Sequence, residues 1–431
     1  ETTGGDGIYY RGGDDDNWGY DDGTRKIPRN VARLSSEEFE ATEYPERANL
    51  GASFYNNWDI YEKDMKPLYS GEAELGWRYD FDNGMALGIL GNYKYRNGWF
   101  NTIKDMARYE FTGVDGGSNQ TVDYTRWITR QEIDQSGFVN IGLELNPDNS
   151  VMFTWLQLRK TEDEVQQDRG LYSEDDVTDG IPVESYRLQW AENETESFQL
   201  AGEHYFTGLN DTLFEWRIVD GSGSRESPDT RTYTYAEDNS GNMAVVTPGR
   251  QAAGDLRDVF QAPDRNYSDL NDDIEEWGLD ATIPVDFLET SIKVGYSDFE
   301  RTRETRDRLF RFEVTSRAPQ YISWMTPSQL FGDENWVDEY ITVRDFSAGQ
   351  ANASGIFPFA ESSEEVSAYY GSIDSRILPT LRVQLGVRFE DTEIEADAWG
   401  GNTEPGTDNL SKQDYDDTLP AASLTWEFLE N

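Results

Sequence analysis

Asp14, Asp15, Asp16, Asp21 and Asp22 crowd the start of the chain, and hard cations such as calcium take carboxylate oxygens. Their spacing does not follow a calcium-wrapping loop. Acidic side chains are abundant elsewhere too, so solvated charge is the preferred reading. The single histidine, His204, stands between Glu203 and Tyr205. It has no second imidazole for a metal and no serine–carboxylate pair for a relay. Arg301, Arg303, Arg306 and Arg308 are interleaved with Glu304 and Asp307. Such a run grips phosphates, an anionic ligand or the acidic faces of neighbouring strands, and the last is favoured. Trp18, Tyr20, Trp99, Trp127, Tyr321, Trp324, Trp336 and Trp399 fall in stretches that read as loops. Loop rings stack on sugars, catechols and heterocycles. Trp324, Trp336, Trp127 and Trp399 are the candidate ligand-contact residues. No catalytic, cofactor-binding or metal-ligating residue is singled out, and no enzyme activity is expected.

The background composition narrows the chemistry further. The 431 residues include 37 basic and 84 acidic side chains, no cysteine, and a formal charge of -47. Disulfides, thiolate metal sites and cysteine nucleophiles are excluded, and a polyanion of this size repels nucleic acid. Aromatic residues at 13% argue for an ordered chain with ring surface to bury, despite the acidity. No apolar run approaches the ~20 residues of a membrane helix.

The elements that position these residues are strands. Leu381-Arg382-Val383-Gln384-Leu385-Gly386-Val387-Arg388-Phe389-Glu390 alternates apolar and polar without interruption, the mark of a strand with one oily and one charged face. Ala73, Leu75, Trp77 and Tyr79 alternate likewise, turn at Asp82-Asn83-Gly84, and return through Leu87, Ile89, Gly91, Tyr93 and Tyr95. Further pairs turn at Pro147-Asp148-Asn149-Ser150, at Gly208-Leu209-Asn210-Asp211, near Pro284-Val285-Asp286-Phe287, and at Leu378-Pro379-Thr380. A last strand, from Thr418 to Phe428, has no visible partner. Glu37 to Tyr44 suits a helical turn. Between the hairpins lie long polar stretches, Gly98 to Ile133, Gly221 to Asp269 and Arg303 to Ser362, read as loops. Short turns on one side and long loops on the other fit an antiparallel transmembrane β-barrel better than a sandwich with regular spacing. The expected fold is all-β, with Trp77, Tyr79, Tyr93, Tyr95, Trp155 and Trp426 in an interfacial girdle or on the lipid face.

Several segments resemble the barrel of TonB-dependent outer-membrane receptors. Tyr10-Arg11-Gly12-Gly13-Asp14 through Asp21-Asp22-Gly23-Thr24-Arg25-Lys26-Ile27-Pro28 is similar to the stretch that follows the plug in one branch. Asn140 to Asn149 leading to Leu158-Arg159-Lys160-Thr161, Phe198 to His204, and Ser227-Pro228-Asp229-Thr230-Arg231 resemble later segments. Ala368-Tyr369-Tyr370-Gly371, the Leu381 to Glu390 strand and Thr418-Leu419-Pro420-Ala421 follow in family order.

The resemblance implies an outer-membrane protein of a Gram-negative bacterium that takes up a scarce solute, an oligosaccharide or a ferric siderophore-like ligand. Its partners would be outer-membrane lipid and lipopolysaccharide, the solute, and the TonB complex acting through a plug. The chain reads as a partial barrel domain over 1–431, with about twelve strands where the family closes on about twenty-two. No plug, TonB box or terminal aromatic strand is read in it, which suggests a fragment. The acid-rich composition suits neutral glycans at least as well as anionic siderophores. The competing expectations are a plugless diffusion porin and a soluble, secreted β-rich glycan-binding protein.

Overall fold

The computed structural model describes residues 5–111, 117–173, 177–247, 263–348, 357–400, 406 and 409–428. Residues 1–4 and 429–431, the two ends weighed above, lie outside the described residues, as do parts of the three long polar stretches. Thirteen strands build one antiparallel sheet. Its main path runs in chain order through β3 (Tyr69–Asp80), β4 (Ala86–Phe111), β5 (Ser118–Asn146), β6 (Asn149–Tyr172), β7 (Ile181–Phe206) and β8 (Thr212–Glu237). It continues through β10 (Asp264–Val285), β11 (Thr290–Val314), β13 (Phe359–Leu378), β14 (Leu381–Trp399) and β15 (Ser411–Trp426). Short strands β9 (Met243–Val245) and β12 (Ile341–Asp345) add to β8 and β11.

The tight turns lie where the turn chemistry places them. Asn210 and Asp211 both take positive φ and close the short loop after a 3-10 turn at Thr207–Leu209, which links the paired Phe206 and Thr212. The turn read at Pro284 to Phe287 shifts along the chain: β10 continues to Val285, and Leu288 and Glu289 carry the positive φ. The final strand, read as unpartnered, pairs with β14 from Leu381↔Trp426 to Ala396↔Ser411. The helical turn is α2 (Ser36–Ala41), opened by a capping box between Ser35 and Glu38.

The largest departure concerns the long stretches read as loops. Gly98 to Ile133 is mostly the outer parts of β4 and β5, Gly221 to Asp269 extends β8 and opens β10, and Arg303 to Ser362 extends β11. Polar residues on both faces hide the alternation there. Cross-strand ion pairs hold those ends instead: Arg126 forks onto Asp168, and Arg301 and Arg303 share Asp272. Trp99, Trp127 and Trp399 therefore stand on strands.

Register carries the alternation across the whole sheet. Tyr79 lies opposite Leu87, then the row continues through Leu143, Val151, Gly202, Trp216, Leu279, Tyr296, Tyr369, Phe389 and Thr418. The one gap, Gly202, is covered by a ring: a Cβ there would run into the Trp216 indole. The row begins beside the Asp82–Asn83–Gly84 turn and reaches the middle of β14, the drift that tilted barrel strands produce. Large apolar groups on this face stay open, among them Leu75, Ile218, Trp277 and Leu385. The opposite face carries ion pairs such as Arg217–Glu276 at 2.8 Å, Arg388–Glu390 at 2.6 Å and Arg78–Glu144 at 2.9 Å. An apolar outer band and a polar interior are the two faces of a membrane barrel strand. No helix among the described residues is long and apolar enough to cross a membrane.

Just past the apolar row, on its own face, Asp220, Glu275, Glu300, Glu365, Glu393 and Asp414 stand directly opposite one another. Further still from the tight turns, the same face is covered by an amino-terminal cap. The cap comprises β1 (Gly5–Tyr10), α1 (Arg29–Ala32), α2, α3 (Glu46–Ala52) and β2 (Ile60–Met65). Phe39, Phe54 and Trp58 of the cap pack edge-on against Phe310 and Phe312 of β11 at 5.0–5.6 Å. This aromatic cluster is the main buried core.

Candidate ligand-binding site

Two groups of charged residues lie in the outer part of the sheet, and burial separates their roles. Behind the cap, Asp229 of β8 accepts from Arg231 at 2.6 Å and pairs with Arg265 of β10 at 2.7 Å, while the Tyr267 hydroxyl donates to it at 3.2 Å. All four are buried. Arg265 also donates to the Tyr55 carbonyl at 2.6 Å, and Arg231 to that of Asn57. Burial lowers the Arg265 pKa and raises that of Tyr267, as desolvation penalises each charged form. A second cluster joins Arg25 to Asp16 at 2.7 Å and to Asp21 at 3.3 Å, with its guanidinium 4.1 Å from the Trp190 ring. Near it, burial pushes Asp163 of β6 up to about 6. These groups clamp the cap to the sheet. Asp16 and Asp21, weighed above as calcium ligands, are thus engaged by Arg25, and Asp22 accepts from the Thr24 and Asp14 amides.

On the opposite, charged face the strands enclose an open cavity of about 590 Å³. Arg187 of β7, Thr230 and Thr232 of β8, Asp264 and Asn266 of β10, and Asp307 and Arg311 of β11 point to it, with Ser347 and Pro358 at its rim. Arg311 forks onto Asp264 through two hydrogen bonds of 2.8 and 2.9 Å and lies 4.2 Å from the Phe346 ring. Burial raises the Asp264 carboxyl pKa while Arg311 works against that rise, and the hydrogen bond to Asp264 raises the pKa of Arg311. Ser347 is fixed by accepting from the Leu309 amide at 2.9 Å. The cavity offers two guanidiniums, two carboxylates and four neutral hydrogen-bonding side chains. It suits a hydroxyl-rich solute of low net charge.

With an apolar band, a charged inner face and this cavity in view, the family comparison is decisive. The profile described as TonB dependent receptor-like, beta-barrel matches residues 208–431, slightly more than half of the chain. The chain belongs to that family. Searches of curated proteins and of solved structures each gave no match. The family places the TonB-dependent receptor barrel in the outer membrane, with its apolar rows toward lipid, and its members are transporters.

The four tryptophans expected to touch ligand are spread over the receptor barrel. Trp324 ends a short 3-10 helix (Gln320–Trp324), is 42% exposed, and donates to Asp238 at 2.9 Å. Trp336, in a short helix (Asp333–Val337), is 3% exposed and packs against Phe312 as a core group. Trp399 stacks on Phe359 at 5.9 Å near the end of β14. Trp127 lines a smaller cleft of about 320 Å³ under the cap. The charged-face cavity draws on none of them. Its residues left no sequence signal, because Arg187, Asp264 and Asp307 become neighbours only through register. The arginine run behaves as charge pairing: Arg306 meets Glu304 at 2.9 Å and Arg308 meets Asp345 at 2.8 Å. His204 bridges Asn149 at 2.8 Å and the Trp216 indole at 3.1 Å, at the turn end of β7.

Proposed function

We propose that this receptor barrel takes up a scarce, hydroxyl-rich solute by TonB-dependent transport, with the charged-face cavity as a ligand contact site. The observation that carries this reading is the cavity's balance of charge. Its two arginines face two aspartates, and Arg311 is already neutralised by Asp264. An anionic ferric siderophore gains little there, whereas an oligosaccharide finds hydrogen-bond donors and acceptors at every side. The whole chain, in this reading, is barrel domain, engaged with TonB through a plug and with lipopolysaccharide around its rim.

Uptake by the intact receptor in cells with and without TonB provides the test, with a neutral oligosaccharide and a ferric siderophore in competition. TonB-dependent uptake of the oligosaccharide, weakened by Thr232→Ala and Asn266→Ala, is the expected result. Uptake that persists without TonB would identify a diffusion porin. A protein recovered free in the medium without detergent would identify a secreted glycan-binding protein.

A further inference from the structure

The cleft under the cap lies across the sheet from the charged-face cavity and has its own chemistry. Strand β1 lies directly on β5 because Gly7 has no side chain: a Cβ there would fall 2.9 Å from the Thr129 methyl carbon. The Ile8 amide donates to the Thr129 hydroxyl at 3.1 Å, and the Asn101 side chain donates to the Asp6 carbonyl at 2.7 Å. Thr129 in turn donates to Asn101 at 2.6 Å. These bonds tie β1 to β4 and β5 through residues that themselves line the cleft.

Its floor is a cross-strand row in which Ile103, Trp127 and Gln167 stand opposite one another on β4, β5 and β6. Asp6 and Glu62 of the cap and Arg169 of β6 also line the cleft, and Arg169 is paired with Glu184 at 2.7 Å. Gln167 donates to the Tyr186 hydroxyl at 3.1 Å, which leaves its carbonyl oxygen to accept. Among the described residues, the Trp127 indole N–H and the Asp6 and Glu62 carboxylates have no hydrogen-bond or ion-pair partner.

We propose that this cleft is a glycan-binding site that holds one neutral sugar ring on the Trp127 indole. The apolar C–H face of a pyranose stacks on an indole ring. Its hydroxyls donate to carboxylates, the stronger class of hydrogen bond. The two unpaired carboxylates that line the cleft turn away acidic sugars and phosphates, and a volume of about 320 Å³ admits a ring or two. The ring belongs either to a free oligosaccharide or to the sugar part of the lipopolysaccharide that surrounds an outer-membrane protein. This site is independent of the charged-face cavity and of transport.

The test is isothermal titration of the full chain in a detergent without a sugar headgroup. The probes are maltotriose and, separately, a neutral, phosphate-free hexose fragment of the lipopolysaccharide core oligosaccharide. Saturable binding of at least one probe is expected, weakened at least about tenfold by Trp127→Ala and by the pair Asp6→Asn with Glu62→Gln. Trp127→Phe, which keeps a stacking ring and the strand's packing, should weaken it less. Binding of the core fragment alone assigns the site to lipopolysaccharide, and binding of maltotriose assigns it to free glycan. No saturation with either probe, or binding indifferent to Trp127→Ala in a folded barrel, overturns the proposal. Because uptake is not the readout, that failure would leave the transport reading untouched.

Discussion

The half of the sheet beside the tight turns and the half beyond it treat similar residues in opposite ways. Near the turns, Trp77, Ile218, Trp277 and Tyr369 hold their rings and chains in the open, and ion pairs such as Arg382–Asp374 lie at the surface. Beyond the apolar row, Phe310, Phe312, Trp58 and Trp190 are closed off, and Arg25, Arg231 and Arg265 are as buried as the core. One set of strands thus runs through two solvents. Lipid takes up the apolar face of the first half, while the cap must supply the burial that the second half needs in water. The stability of the outer half therefore rests on charges that cannot lose their partners.

Removing Arg231 should give the largest effect. Arg231→Ala leaves Asp229 and the Asn57 carbonyl short of a buried donor, at a cost of about 3–5 kcal/mol. Hydrogen exchange across the cap should accelerate, whereas Arg382→Ala at the turn end should change stability by less than ~1 kcal/mol. Equal losses would erase the contrast between the halves.

Leu279→Arg comes next. It places a charge in the apolar row, and insertion into lipid vesicles should weaken by about 2–4 kcal/mol. Thr282→Arg, on the charged face of the same strand, should insert nearly as well as the parent. If the two faces respond alike, the apolar rows do not face lipid.

A smaller effect is expected at Asp163, whose folded pKa of about 6 stands above its ordinary 3.8. Between those values the folded protein holds a proton that the unfolded chain has released, so the stability contributed by this group falls as pH rises. Asp163→Asn should stabilise by on the order of 1 kcal/mol above pH 6 and by nothing below 3.8. Unfolding midpoints across that window, compared with the parent, would show whether the gain appears only on the alkaline side.

The smallest change concerns the acidic row at the join of the two halves. Glu300 stands between Glu275 and Glu365, and like charges directly opposite repel. Glu300→Gln should stabilise by about 0.2–1 kcal/mol, with the gain shrinking as salt screens the row. A variant as stable as the parent at low salt would show that the row is already neutralised.

The hairpins near the turns were legible because two local signals coincide there. Period-two alternation identifies a face, and Asp82-Asn83-Gly84 or Asn210-Asp211 identifies where it reverses. The outer strand ends lack that alternation: β10 opens Asp264-Arg265-Asn266-Tyr267-Ser268-Asp269, polar on both faces. What makes it a strand is its pairing with β8 and β11, a property of its neighbours. The charged-face cavity shares that origin, since Arg187 and Asp307 stand far apart in sequence on strands separated by two others.

By itself, then, the chain's alternation determined an antiparallel sheet with one lipid-compatible face and short turns along one edge. A pleated strand must put neighbouring residues on opposite sides, so the pattern of residue types is already a pattern of faces. Only the tertiary structure decided that the strands continue beyond that face and that Trp336 serves the core. It also decided that a buried arginine at 231 reaches a carbonyl at 57. Those outcomes depend on which groups meet across neighbouring strands and, for Arg231 and Asn57, on a contact between residues 174 positions apart; no local period records such a meeting.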